Sequence, residues 1–228
     1  FVNQETLSSM RHVVVQSLET NQTLIIDAGE ETGSPLWVGD GNHLYYQAFK
    51  GDTCWIRRTT ISNDLTVADY KNITQCGALP FFQGLSIAQD SPWLYYSFGD
   101  ASNTPFYVIK RVNLNTEKSE EVTTPPVKYN GDFLPKIRRD AKYLAFLRDF
   151  DDGSTAIMLK NNETGEVQRL MQVNNSFPSF EWSSKLNSLL YTDDNNILTS
   201  INVVTGEKTP IVATNERINN PIQIEKKQ

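Results

Sequence analysis

The apolar residues of this chain fall in short clusters separated by polar turns, and the clusters recur. Leu44-Tyr45-Tyr46 returns as Leu94-Tyr95-Tyr96, Leu144-Ala145-Phe146 and Leu189-Leu190-Tyr191. The interval is about 45 to 50 residues, the repeat length of four-stranded propeller blades. A short β-rich stretch precedes each cluster, introduced by proline in most copies: Pro35-Leu36-Trp37, Pro135-Lys136-Ile137 and Pro178-Ser179-Phe180-Glu181-Trp182. The second copy departs, reading Gly84-Leu85-Ser86-Ile87 without proline. Asp40-Gly41-Asn42 supplies turn chemistry between stretch and cluster in the first copy. Helical periodicity is absent throughout.

Downstream of each cluster the pattern predicts a polar hairpin, a third strand, a second hairpin and a short fourth strand. Asp149-Phe150-Asp151-Asp152-Gly153 leads into Thr155-Ala156-Ile157-Met158-Leu159, and Asp193-Asp194-Asn195-Asn196 into Ile197-Leu198. The second hairpin turn is the best-kept element: Asn115-Thr116-Glu117-Lys118, Glu163-Thr164-Gly165-Glu166 and Val204-Thr205-Gly206-Glu207. Glycine there suits a residue of positive φ. The ends carry the remaining parts. Arg11 to Val15 matches a third strand, Leu24-Ile25-Ile26 a fourth, and Asn220-Pro221-Ile222-Gln223-Ile224 a first. The reading is an all-β chain forming one β-propeller domain over 1–228. Its five four-stranded blades are expected at about 35–78, 84–125, 133–172, 177–214, and 220–228 plus 1–28. Stitching the last blade from both termini would leave no sheet edge open. A piece excised from a longer propeller is the rival explanation.

Composition narrows the function classes. The 228 residues are 39% hydrophobic and 21% charged, enough apolar content for a core. A mean hydropathy of −0.43, with no apolar run near the roughly 18 residues of a bilayer span, points to a soluble piece. The net charge of −6 argues against direct nucleic-acid binding, because phosphates would be repelled. Two histidines leave little for a metal site, and no cofactor is expected. Phe1 to Thr6 lacks the basic start and apolar stretch of a signal peptide; a processed chain would look the same.

Cys54 and Cys76 are the only cysteines. They lie equidistant from a turn near Leu65, so on antiparallel strands they face one another. A cross-strand disulfide is then expected, with the oxidising compartment it implies; two buried free thiols are the alternative.

The pattern P-x-W/F, D-G-x-x-L-x-Y and T-G-E rests on Pro35, Trp37, Asp40, Gly41, Leu44, Pro178, Trp182, Leu190, Tyr191, Thr164, Gly165, Glu166, Thr205, Gly206 and Glu207. It resembles the TolB-like, WD-repeat-like propeller repeats of bacterial periplasmic proteins over nearly the whole chain. The S-P-D-G turn typical of that family is degenerate here. Such repeats also occur in prolyl-oligopeptidase-like enzymes and in the periplasmic sensors of CadC-like and ToxR-like membrane-anchored transcription regulators. The resemblance implies a periplasmic or otherwise extracytoplasmic sensing module that binds a protein or small-molecule ligand at the propeller face. Its DNA-binding part and membrane anchor would lie upstream of the chain.

Candidate chemistry is sparse. His12 and His43 fall on or beside predicted strands, and no G-x-S-x-G elbow surrounds a serine. Five-bladed glycosidases use paired carboxylates facing a central cleft. Here Glu181 is the clearest acid on a first strand, and Asp132 sits in a loop leading into one. The acids at 149–153 are read as turn formers, because a downstream calcium-binding glutamate is missing. Tyr46, Tyr96, Phe146 and Tyr191 are expected in the core. Trp37, Phe81, Phe82, Tyr129, Phe133 and Trp182 are expected to rim the channel mouth with Glu181. Lys136, Arg138, Arg139 and Lys142 are read as a solvated turn. Four Asn-x-Ser/Thr sequons, at Asn21, Asn72, Asn162 and Asn174, would matter only in a eukaryotic secreted protein.

Overall fold

A computed structural model of the chain describes residues 2–3, 11–39, 41–78, 84–103, 105–128, 130–173, 179–183, 187–192 and 197–213. These residues carry strands and turns and no helix. The chain divides into two compact units, Phe1–Pro135 and Lys136–Gln228.

The first unit opens with a three-stranded antiparallel sheet, β1 (Val2–Asn3), β2 (His12–Gln16) and β3 (Thr23–Ile25). An antiparallel meander follows: β4 (Glu31–Trp37), β5 (His43–Lys50), β6 (Thr53–Ile61) and β7 (Val67–Gly77). A second consists of β8 (Leu85–Ile87), β9 (Trp93–Gly99), β10 (Tyr107–Asn113) and β11 (Ser119–Glu121). β12 (Gly131–Ile137) begins in this unit and ends in the next. In the second unit β13 (Tyr143–Asp149), β14 (Thr155–Asn161) and β15 (Val167–Val173) continue antiparallel. β16 (Phe180–Trp182), β17 (Ser188–Thr192), β18 (Ile197–Asn202) and β19 (Lys208–Ala213) form a four-stranded antiparallel sheet. The first strand expected at 220–224 lies outside the described residues.

The recurring aromatic cluster has a direct physical cause. On a strand, successive side chains point to opposite faces, and β5 is buried on both. Leu44, Tyr46 and Ala48 pack with Val13 and Ile26 on one side. Tyr45 and Phe49 pack with Leu85, Leu94, Tyr96 and Val112 on the other. A strand covered on both faces reads as a continuous apolar run rather than an alternation. The equivalent aromatics Tyr46, Tyr96, Phe146 and Tyr191 are all buried. Each apolar face removed from water contributes about 25 cal/mol per Å², so the run stabilises both of the layers it separates.

The second hairpin turns share one construction. Asn161 Oδ1 accepts the backbone N–H groups of Glu163 and Thr164, and Gly165, at φ 77°, donates to Asn161 O at 2.8 Å. Asn202 and Gly206 repeat it, as do Asn113 and Glu117, the latter at φ 58°. Ser17 takes the capping role in the N-terminal sheet, with Asn21 at φ 57°.

Two glycines join consecutive meanders in the first unit. Gly77 pairs in parallel with Gly99, and Gly131 with Tyr107. A Cβ on Gly77 would lie 1.9 Å from Gly99 O, and one on Gly131 2.1 Å from Tyr107 O. Both glycines have positive φ, 103° and 123°. No other residue lets the two backbones approach this closely.

Cys54 and Cys76 form a disulfide with Cα atoms 5.0 Å apart. Cys54 lies opposite Gly77 and the register shifts at the next residue, so a bulge brings Cys76 rather than its neighbour to the bond. Both cysteines are buried.

Candidate functional site

In the first unit, Ser34 lies in the middle of β4, Leu134 in the middle of β12, and Gly84 just before β8. All three have positive φ: 51°, 80° and 54°. Gly84 N–H donates to Ser34 Oγ at 3.1 Å, and Leu134 N–H to Ser97 Oγ at 3.1 Å. A bulge between Gly33 and Leu36 interrupts the pairing of β4 with β5. Gln47, opposite Gly33, is 1% exposed, and its Oε1 has no hydrogen-bond partner among the described residues. For a bulky residue such as Leu134 a left-handed conformation costs about 1–2 kcal/mol, which places strain in the middle of β12.

Nearby, Arg57 Nη1 donates to both Asp27 Oδ2 (2.7 Å) and Glu30 Oε2 (2.6 Å), and its Nε donates to Asn72 Oδ1. Tyr46 Oη donates to the same Asp27 oxygen at 2.7 Å. Burial, then the Asp27 carboxylate, push the Tyr46 phenol far above its ordinary range. This network ties the segment after β3 to β5 and β6, and every charge in it has a counter-charge.

The second unit contains the acid singled out from the sequence. Lys136 Nζ donates to Glu181 Oε2 at 2.6 Å, and Trp182 N–H donates to Glu181 Oε1 at 3.0 Å. Trp182 Nε1 donates to Lys136 O at 2.7 Å. Beside them Arg138 is 5% exposed. It grips Asp140 with two hydrogen bonds of 2.7 Å and donates to Asn187 Oδ1 at 2.5 Å. Its guanidinium lies 4.5 Å from the centre of the Tyr143 ring and 5.8 Å from that of Trp182. Burial opposes ionisation of Asp140, but the Arg138 and Lys142 hydrogen bonds outweigh it and hold the carboxyl below its usual range. Arg138 is thus a buried, fully engaged cation rather than part of a solvated turn. Arg139 is exposed, as expected.

The other expected site residues have mixed fates. Trp37 ends β4 and is 45% exposed. Phe133 lies inside β12 rather than in a loop, is 3% exposed and packs against Tyr107, so it is a core residue. Asp132 is likewise buried within β12. Phe81, Phe82 and Tyr129 lie outside the described residues. Around the 149–153 turn, Asp149 Oδ1 accepts from Thr155 Oγ1 (2.6 Å) and Asp152 Oδ1 from Ser154 N–H (2.9 Å) and Oγ. His12 and His43 sit on strands, half-buried.

No family model matches the sequence, and no curated protein matches it. Among solved structures the fold is similar to TolB from Acinetobacter baumannii, with a TM-score of 0.68 at 17% identity over 92% of this chain and 50% of that one. An oligogalacturonate lyase in complex with manganese gives 0.60 at 13% identity, over 92% of this chain and 61% of the lyase. A prolyl endopeptidase gives 0.59 at 13%, over 89% of this chain and 33% of the enzyme. The chain spans half the length of that TolB. At these identities the likeness is one of fold: this is an all-β chain whose structural neighbours are TolB-type propellers and enzymes that carry propeller domains.

Proposed function

We propose that the chain is a non-catalytic binding or sensing propeller of five blades that works outside the cytoplasm. In this reading it is the sensor portion of a membrane-anchored transcription regulator, and its ligand-binding residues lie on the first strands. Trp37 in the first unit and Glu181 and Trp182 in the second are the contact residues of this reading among those described; Phe81, Phe82 and Tyr129, the others expected from the sequence, lie outside the described residues. The observation that carries the non-catalytic reading is the state of Glu181. Lys136 Nζ bonds one of its oxygens and Trp182 N–H the other, and in this reading those contacts anchor the side chain within the sheet rather than present it to a leaving group as a glycosidase acid. The Cys54–Cys76 bond supports an oxidising compartment.

The lyase and peptidase neighbours motivate the second reading, an enzyme or an enzyme's propeller. One experiment separates the two. The purified chain is assayed on aryl glycosides, oligogalacturonate and aminoacyl anilides, beside Glu181→Gln. No turnover above the buffer rate is expected. Turnover that Glu181→Gln abolishes would overturn the binding reading. The sensor assignment falls if the full gene encodes no membrane segment upstream of this chain.

A further inference from the structure

The first unit carries an open cleft of about 380 Å³ that none of the residues above explains. It lies where β9 turns into β10 and where the segment after β11 runs back toward β12. Its volume falls in the range of about 300–1,000 Å³ typical of ligand sites. Phe98, Phe106, Pro105 and Pro125 supply rings to its walls, and Asp100 and Glu121 supply carboxylates.

The charges have a definite arrangement. Lys110 Nζ lies 3.6 Å over the Phe98 ring, and Glu121 is its partner across the strands. That cation is therefore already engaged by an aromatic face. Asp100 accepts from Ser102 N–H and Oγ on one oxygen and from Asn103 Nδ2 on the other. Those Ser102 bonds hold its carboxyl below the usual range, so it is ionised at neutral pH. Glu121 is exposed and receives only a 3.5 Å bond, from Thr124 Oγ1. An anionic ligand would meet two carboxylates and a lysine already in use. A cationic ligand would find both acids with lone pairs to spare, in a chain of net charge −6 that draws basic partners in.

We propose that this cleft binds a proline-containing basic peptide segment in the polyproline II conformation. Pyrrolidine rings stack on aromatic and proline surfaces, and the conformation is largely preformed, so little chain entropy is lost on docking. A basic side chain of the segment then reaches Glu121 and Asp100. The proposal rests on reading the chain as a binding module, but uses none of Trp37, Glu181 or Trp182.

The test is fluorescence anisotropy of the full chain with three labelled, end-blocked peptides of equal length. The first is proline-rich with an arginine at every fourth position, the second has glutamate for arginine, and the third has glycine for proline. Saturable binding of the first alone is expected. Glu121→Gln, at an exposed position, should weaken it by about tenfold, as loss of a close charge pair does, and Phe106→Ala should weaken it further. The proposal is overturned if the first peptide does not saturate, if either control binds as well, or if Glu121→Gln binds like the parent chain. The exposed variant decides the matter even if Phe106→Ala fails to fold. Enzymatic turnover, which would defeat the binding-module reading, is measured separately and leaves this titration interpretable.

Discussion

Opening the Cys54–Cys76 bond tests the first unit most directly. The bond closes a loop with a sequence separation of 22 residues and sits in an apolar cluster with Tyr45, Phe49, Ile56 and Ile73. In the chain-entropy account, a cross-link of this span withdraws about 3 kcal/mol of freedom from the unfolded state. Reduction leaves two buried thiols, which pack as small apolar groups, so the folded core loses little and most of the effect lies in the unfolded ensemble. Urea denaturation of oxidised and reduced chain, followed by tryptophan fluorescence (Trp55 neighbours Cys54), should therefore differ by about 3 kcal/mol. In a thermal scan the same loss is a fall of roughly 6–12 °C for a chain of this length. The unreduced chain, denatured in guanidinium chloride, should show no thiol reactive with a disulfide reagent. Stabilities agreeing within about 0.5 kcal/mol, the scatter of neutral surface changes, would refute the reasoning, because the cross-link would then not constrain the unfolded chain.

Other outcomes follow from single positions. Gly131→Ala places a Cβ 2.1 Å from Tyr107 O at φ 123°, and Gly77→Ala one 1.9 Å from Gly99 O; each should cost more than about 2 kcal/mol in urea denaturation. Glu117 holds φ 58° where the equivalent turns use Gly165 and Gly206, so Glu117→Gly should stabilise by about 1 kcal/mol, less the ion pair with Lys71, and a lower midpoint would contradict the turn assignment. The depressed pKa of Asp140 contributes stability that is present above the unfolded carboxyl value of about 3.9 and is lost as pH falls through the folded value. The stability gap between the parent chain and Asp140→Asn should accordingly close on acidification from neutrality, and a gap independent of pH would exclude the ion pair as its source. Asp149, raised by burial, acts in the opposite sense: Asp149→Asn should gain on the parent chain as pH rises through its folded value.

What the sequence determined by itself follows from local physics. A strand buried on both faces is apolar at nearly every position, Gln47 being the exception in β5, so Leu44-Tyr45-Tyr46 and its copies mark the second strands without reference to anything distant. A turn that needs a left-handed residue selects glycine, so Gly165 and Gly206 mark the second hairpins. Cys54 and Cys76 could be paired because β6 and β7 are adjacent in sequence and their midpoint is the turn. What only the tertiary structure decided involves groups that meet only on folding, several of them from far apart in the chain. Arg138 and its neighbours read as a solvated turn, yet Asn187, 49 residues on, helps to bury the guanidinium, and a charge can be buried only where such partners converge. Phe133 had no local mark separating core from rim, and its place against Tyr107 came from strand pairing. Ser34 and Leu134 share a left-handed conformation with Gly84 that their side chains do not advertise, because the surrounding sheets impose it. The cleft at Phe98, Asp100 and Glu121 is lined entirely from residues 98–125, but its walls meet only once the β9–β10 hairpin and the segment after β11 have folded side by side. Local burial and turn geometry leave their signature in composition and spacing, whereas the environment of a charge depends on which distant strands become neighbours and the walls of a cleft on how adjacent segments pack.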